Sequence, residues 1–262
     1  MHLLGAFLAG LLVATVTTPA GVSGAVLLLP IQVSVLGVPS PSVTPTNLIF
    51  NLFATPSGVL RYRRLGGGPI RSPLANRLLV GTIPGVVVGA VIRVEWLSGQ
   101  QGFYLAAAAV LATLGTMLVI RRPTPSDRPL SLALVPPIAA AVGVVGGVYG
   151  IGGGSFLAPI LILGGYTAYA VAPAALLSTL AASIVGVITF VVLGVTSASD
   201  SSIEIMPDWG IGVAAGMGGV IGAYLGASLQ SRIPEPALRR LLGWLALVIA
   251  ARYLYLGATG SE

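Results

Sequence analysis

Cysteine and lysine are absent from the 262 residues, histidine occurs once, and charged side chains make up only 8%. Without cysteine there is no disulfide, no thiolate metal ligand and no cysteine nucleophile. Soluble domains are about 25% charged, so this chain lacks the side chains needed to face water all round. What it has instead is apolar: 55% of the residues, with a mean hydropathy of +0.98. These residues fall in long blocks parted by short polar clusters. The composition describes an integral membrane protein and excludes a soluble enzyme.

The net charge is +6 and the pI near 10.2, values that on a soluble chain would raise nucleic-acid binding. Beside apolar segments, basic residues set membrane orientation instead, so no nucleic-acid partner is expected. A spanning helix needs about 20 mostly apolar residues. On that scale, segments are predicted near 2–18, 45–61, 74–93, 102–120, 130–149, 171–194, 208–229 and 236–256. Shorter apolar pieces at 25–37 and 154–165 follow the first and fifth segments across glycine-rich breaks, each about 20 Å long if helical. The first segment is not expected to be a cleaved signal peptide, because only His2 stands where a basic n-region would be.

The chain repeats itself. Gly21-Val22-Ser23-Gly24 aligns with Gly150-Ile151-Gly152-Gly153, and Pro30 then falls on Pro159. Val43-Thr44-Pro45 meets Val171-Ala172-Pro173, Asn51 to Thr55 meets Thr179 to Ser183, and Gly85 and Gly89-Ala90 meet Gly218 and Gly222-Ala223. The halves are 1–126 and 127–262. Their loop charges are opposed. Arg61, Arg63, Arg64, Arg71 and Arg77 follow the 45–61 segment, whereas Asp200, Glu204 and Asp208 occupy the equivalent loop. Arg232, Arg239 and Arg240 lie where the first half is nearly neutral, and Arg121, Arg122 and Arg128 sit between the halves. Placing the basic loops in the cytoplasm accounts for eleven of the thirteen arginines and requires the halves to be inverted. Parity then makes 2–37 and 130–165 hairpins bent at their glycines. The expected fold is an all-α polytopic membrane protein of two inverted repeats, five membrane segments each, with both termini extracytoplasmic.

The breaks can bind something. A helix interrupted at membrane depth must be packed in protein or line a wet cavity. The amides that open the following short helix, near Ala25 and Ser155, carry a positive dipole end suited to an anion. The bland alternative is that the glycines only allow close helix packing. Asn47, Asn51 and Thr55 form one stripe at i, i+4 and i+8, and Ser178, Thr179 and Ser183 lie on the matching helix. These neutral groups could hold an oxyanion, or simply bond neighbouring helices for about 0.6–2 kcal/mol each. The candidate binding set is Ser23, Gly24, Ala25, Asn47, Asn51, Thr55, Gly152, Gly153, Gly154, Ser155, Ser178, Thr179 and Ser183, with Gln32 and Tyr149 as weaker members. Glu95, Asp200, Glu204 and Asp208 all fall in loops or at segment ends, so a carboxylate proton relay is not expected. No catalytic residue, metal or cofactor is expected.

Gly150-Ile151-Gly152-Gly153-Gly154-Ser155-Phe156-Leu157-Ala158-Pro159, followed by Ala174-Ala175-Leu176-Leu177-Ser178-Thr179, resembles the TauE/SafE family of membrane transporters, the sulfite exporter or TSUP group. A fainter copy lies at 21–30 and 46–51, where Val22-Ser23-Gly24-Ala25 departs from the glycine triplet. The resemblance covers nearly the whole chain and implies an inner-membrane permease for sulfite, sulfoacetate or related organosulfonates. Two alternatives stand beside it: transport of another small anion such as sulfate or a carboxylate, and a non-transporting membrane assembly subunit. A homodimer is compatible with either. Gly21-Val22-Ser23-Gly24 also spells the G-x-S-G of rhomboid proteases, but that chemistry needs a histidine beside the serine. His2 lies 21 residues upstream, about 30 Å away along one helix. The glycine run lies inside an apolar block without a βαβ unit, so it is not a dinucleotide fingerprint.

Overall fold

The computed structural model describes residues 2–18, 23–64, 72–120, 129–196, 205–229 and 235–260. Arg71, Arg121, Arg122, Arg128, Asp200, Glu204 and Arg232 of the loop-charge argument lie outside the described residues, as do Pro19, Ala20, Gly21 and Val22 of the first glycine cluster. Ten helices and no strand occur among the described residues. They are α1 (His2–Thr17), α2 (Ala25–Ser34), α3 (Val43–Arg64), α4 (Pro73–Glu95), α5 (Gln100–Ile120), α6 (Val135–Tyr149), α7 (Gly154–Leu163), α8 (Ala168–Thr196), α9 (Trp209–Leu229) and α10 (Glu235–Thr259).

Each predicted segment is a helix, with ends moved by identifiable residues. α4 starts at Pro73, whose missing N–H costs nothing at a helix N-terminus, and the Ser72 hydroxyl accepts from the Ala75 amide at 3.1 Å. α6 begins five residues later than the apolar run, where Pro136 and Pro137 suit a first turn. α2 and α7 are shorter than predicted, ten residues each, and so only about 15 Å long. That is half of a hydrocarbon layer of about 30 Å. Each carries a proline at its sixth position, Pro30 and Pro159.

Within α4, α5, α8, α9 and α10 there are five stretches long and apolar enough to cross a membrane. The predicted 45–61 segment is a helix, but α3 is not one of the five. Its lipid-incompatible groups are turned inward: Thr44, Thr46, Asn47 and Asn51 are all buried. The outer surface is correspondingly oily, with Leu4, Val35, Val80, Ile120, Val195 and Val248 among the large side chains left exposed. The molecule is a multi-pass membrane protein.

Packing pairs helices across the two halves of the sequence. α4 lies on α6, α9 on α1, α5 on α10 and α3 on α8, with further contacts of α3 to α9 and α4 to α8. Small residues permit the approach. A Cβ at Gly85 would overlap the Ala140 carbonyl oxygen and lie 3.0 Å from Gly143 Cα; one at Gly89 would overlap the Val144 carbonyl. On the other pair, Gly218 and Gly222 of α9 stand in the same relation to the Phe7 and Leu11 carbonyls of α1. Backbones this close gain dispersion energy that lipid cannot supply, because lipid tails are as apolar as leucine.

Gly85→Leu should therefore destabilise the protein by about 2 kcal/mol or more, since backbone rather than a flexible side chain must give way. Val88→Ala, at a position 49% exposed, should stay within about 0.5 kcal/mol of wild type. Thermal unfolding in detergent micelles compares them; equal melting temperatures would refute the close-packing account.

Candidate functional site

Both short helices start from a glycine-rich elbow, but the two elbows are made differently. Gly150 ends α6 with φ +80, and its amide donates to the Gly146 carbonyl at 2.8 Å. Gly152 and Gly153 follow at φ +66 and +83, conformations open to glycine at little cost. In the first elbow Gly24 has φ −55, which any residue adopts. Glycine there answers a demand for space, because a Cβ would lie 3.0 Å from Phe50 Cζ.

The elbows touch. The Ser23 amide donates to Ser155 Oγ at 3.0 Å, across 132 residues of sequence. α3 ties them further. Asn47 Nδ2 donates to the Ala25 carbonyl at 2.9 Å and to the Gly150 carbonyl at 3.1 Å, and Asn51 Nδ2 donates to the same Gly150 oxygen at 3.3 Å. The Ser23 hydroxyl donates to Asn51 Oδ1 at 2.8 Å and accepts from the Ala25 amide at 3.3 Å. From α8, Thr179 Oγ1 accepts from the Gly154 amide at 3.0 Å. The amides predicted to face an anion are thus partly engaged by hydroxyls, as expected where hydrocarbon offers no other partner.

Two buried polar atoms beside the second elbow have no hydrogen-bond partner among the described residues: Asn47 Oδ1 and Ser183 Oγ. Ser183 Oγ lies 3.1 Å from where a Cβ on Gly152 would be. Most buried side-chain polar atoms are bonded, so orphans next to a helix break mark a place where another molecule could bond. The positive ends of α2 and α7 meet at the same point, each equivalent to roughly half an elementary charge. An anion is what such an arrangement favours.

Of the predicted residues, Ser23, Ala25, Asn47, Asn51, Ser155 and Thr179 are joined by these bonds, and Gly152, Gly154 and Ser183 pack against them. Ser178 is buried and bonded instead to Thr82 Oγ1 of α4 at 2.8 Å. Thr55 is buried on the same stripe, one turn beyond Asn51. Gln32 is fully buried with neither amide atom bonded, and Tyr149 donates to the Val26 carbonyl at 3.3 Å.

The family model described as Sulfite exporter TauE/SafE matches residues 6–253. The chain belongs to the TauE/SafE family. A curated relative, the probable membrane transporter protein y4hK of Sinorhizobium fredii, is 28% identical over 221 residues, covering 82% of this chain and 83% of its own. No solved structure matches. The TauE/SafE glycine run therefore sits, in this chain, at a break whose amides and carbonyls are bonded across the molecule. Sequence reading passed over Thr44 and Thr82, which lie against that break, and Arg93, which bonds Thr44. The signal available was Arg93 itself, one of two arginines outside the basic loops and set within an apolar run.

Gly152→Ala and Gly153→Ala separate conformation from space. Alanine at 153 meets nothing closer than 3.6 Å and should cost only the strain of a positive φ, about 1–2 kcal/mol. Alanine at 152 adds contacts of 2.7 Å to Thr179 Cγ2 and 3.0 Å to the Thr179 carbonyl. Its melting temperature in detergent should fall further; the reverse order would contradict the elbow geometry.

Proposed function

We propose that the protein carries a small sulfur-containing anion, such as sulfite, sulfoacetate or a related organosulfonate, across the inner membrane through the polar site where the elbows meet. The observation that carries this reading is the direct bond from the Ser23 amide to Ser155 Oγ, with unpartnered Ser183 and Asn47 atoms alongside. Two helix N-termini converge there, and no carboxylate belongs to the set. Hydroxyls and side-chain amides can exchange their mutual bonds for bonds to an oxyanion without a change of protonation. Family membership supports a transporter, and the family's description supports a sulfur oxyanion.

The halves 1–126 and 127–262 act as inverted repeats in this reading. Exchanging α1–α5 for α6–α10 maps the packing onto itself: α4 on α6 becomes α9 on α1, and α3 on α9 becomes α8 on α4. Such exchange is how transporters place a site at a repeat interface. α2 and α7 are return arms that reach mid-membrane, and both termini face away from the cytoplasm. Gly24, Asn47, Asn51 and Ser155 are buried and Ser23 is half-buried, so in this reading the geometry corresponds to an occluded state. Access from either side would come from rocking one half against the other, with the anion leaving outward down the membrane potential. Other small anions, sulfate or carboxylates, fit the same neutral donors, and substrate class rests on the family description.

Purified protein in liposomes should release sulfite or sulfoacetate faster than empty vesicles do. Ser155→Leu and Asn51→Leu should each slow release about tenfold, the loss expected for one hydrogen bond to a charged group. Identical rates with and without protein would refute transport and favour an assembly subunit. Unchanged rates in both variants would refute the site.

A further inference from the structure

Arg93, near the C-terminal end of α4, is fully buried. Its Nε donates to Thr44 Oγ1 at 3.0 Å, Nη2 to Ser40 Oγ at 2.6 Å and Nη1 to the Leu97 carbonyl, and its guanidinium lies 4.1 Å above the Phe103 ring. Every one of these partners is neutral. Glu95, two residues on, is exposed and cannot share a helix face with it. A buried cation carries a desolvation cost that neutral acceptors offset only in part.

The surroundings lead from Arg93 to both elbows. Thr44, which accepts from Arg93, donates to the Val148 carbonyl at 3.1 Å, two residues before Gly150. Phe103, beneath the guanidinium, stacks on Tyr149 with ring centroids 6.3 Å apart, and the Tyr149 hydroxyl donates to Val26 at the start of α2. The charge occurs once. In the alignment that sets Gly89 over Gly222, Arg93 falls on Gly226.

We infer that Arg93 is the fixed positive charge that selects for anions in the transport path, held one side chain away from the second elbow and, among the described residues, bonded to no carboxylate, so that the travelling anion serves as its counter-ion. It is a positioning and selectivity residue, acting through the Thr44 and Tyr149 contacts and through its field in a low-dielectric interior. The inference rests on the transport reading above. Its structural competitor is a simple cap on the end of α4, for which the bond to Leu97 would suffice.

The test compares a monoanion, methanesulfonate, with a dianion, sulfoacetate, using full-length protein. Flux is measured in liposomes and ligand-dependent melting in detergent. Arg93→Gln should raise the apparent KM for sulfoacetate about tenfold, or about 1.4 kcal/mol, and that for methanesulfonate distinctly less. Arg93→Lys, which keeps the charge and loses the fork, should restore most of the ratio. Ser40→Asp, which sets a carboxylate beside Nη2 without removing Arg93, should mimic Arg93→Gln and serves where that variant does not fold. An unchanged KM ratio in Arg93→Gln or in Ser40→Asp, with wild type active, overturns the role of Arg93 alone. Equal losses for both anions in the Gln and Lys variants assign it to capping and likewise overturn the inference. A wild type with neither flux nor ligand-dependent melting overturns the transport reading itself.

Discussion

A hydrocarbon layer offers no hydrogen bonds, so a helix that breaks inside it must find partners for its freed amides and carbonyls within the protein. The elbow before α7 solves this with groups distant in sequence. The Gly150 carbonyl accepts from both Asn47 and Asn51, Thr179 accepts from the Gly154 amide, and Ser155 accepts from the opposite elbow. Neither elbow is complete by itself. α3 and α8 stand at the centre because they carry the side chains that close the two breaks.

That mutual dependence accounts for the packing around it. The side chains of α3 reach both elbows only if the outer helices press inward, and the glycine rows on α4 and α9 allow this by bringing backbone against backbone. Polar groups at depth and small residues at interfaces are therefore two parts of one arrangement. The first supplies the bonds, and the second sets the distance at which they form. The apolar side chains left outside need no such fit, since lipid accommodates any shape.

Electrostatics at the elbows is set by backbone more than by ionised side chains. The starts of α2 and α7 point their positive ends at the Ser23–Ser155 contact, and the hydroxyls and amides around them are uncharged. Arg93 adds the one buried formal charge among the described residues, surrounded by oxygen acceptors and an aromatic face. Dipoles fixed by helix geometry and a buried guanidinium together give the elbows a positive potential.

Much of this was legible beforehand. Apolar run lengths located every helix, because span length is a one-dimensional constraint. The i, i+4, i+8 stripe of Asn47, Asn51 and Thr55 marked the polar face of α3, and Gly152-Gly153-Gly154 marked the break. Run length did not reveal that α2 and α7 are ten residues long or that α6 starts late, because the ends at Val35 and Gly164 and the start before Pro136-Pro137 barely alter hydropathy. Which hydroxyl caps which amide, why Ser178 turns to Thr82 instead, and that Arg93 is buried rather than at a membrane surface were decided by tertiary structure alone. Local periodicity assigns a residue to a face of its own helix. The partner on that face comes from other helices, 22 to 132 residues away in these bonds, whose relative rotation is fixed only when they pack.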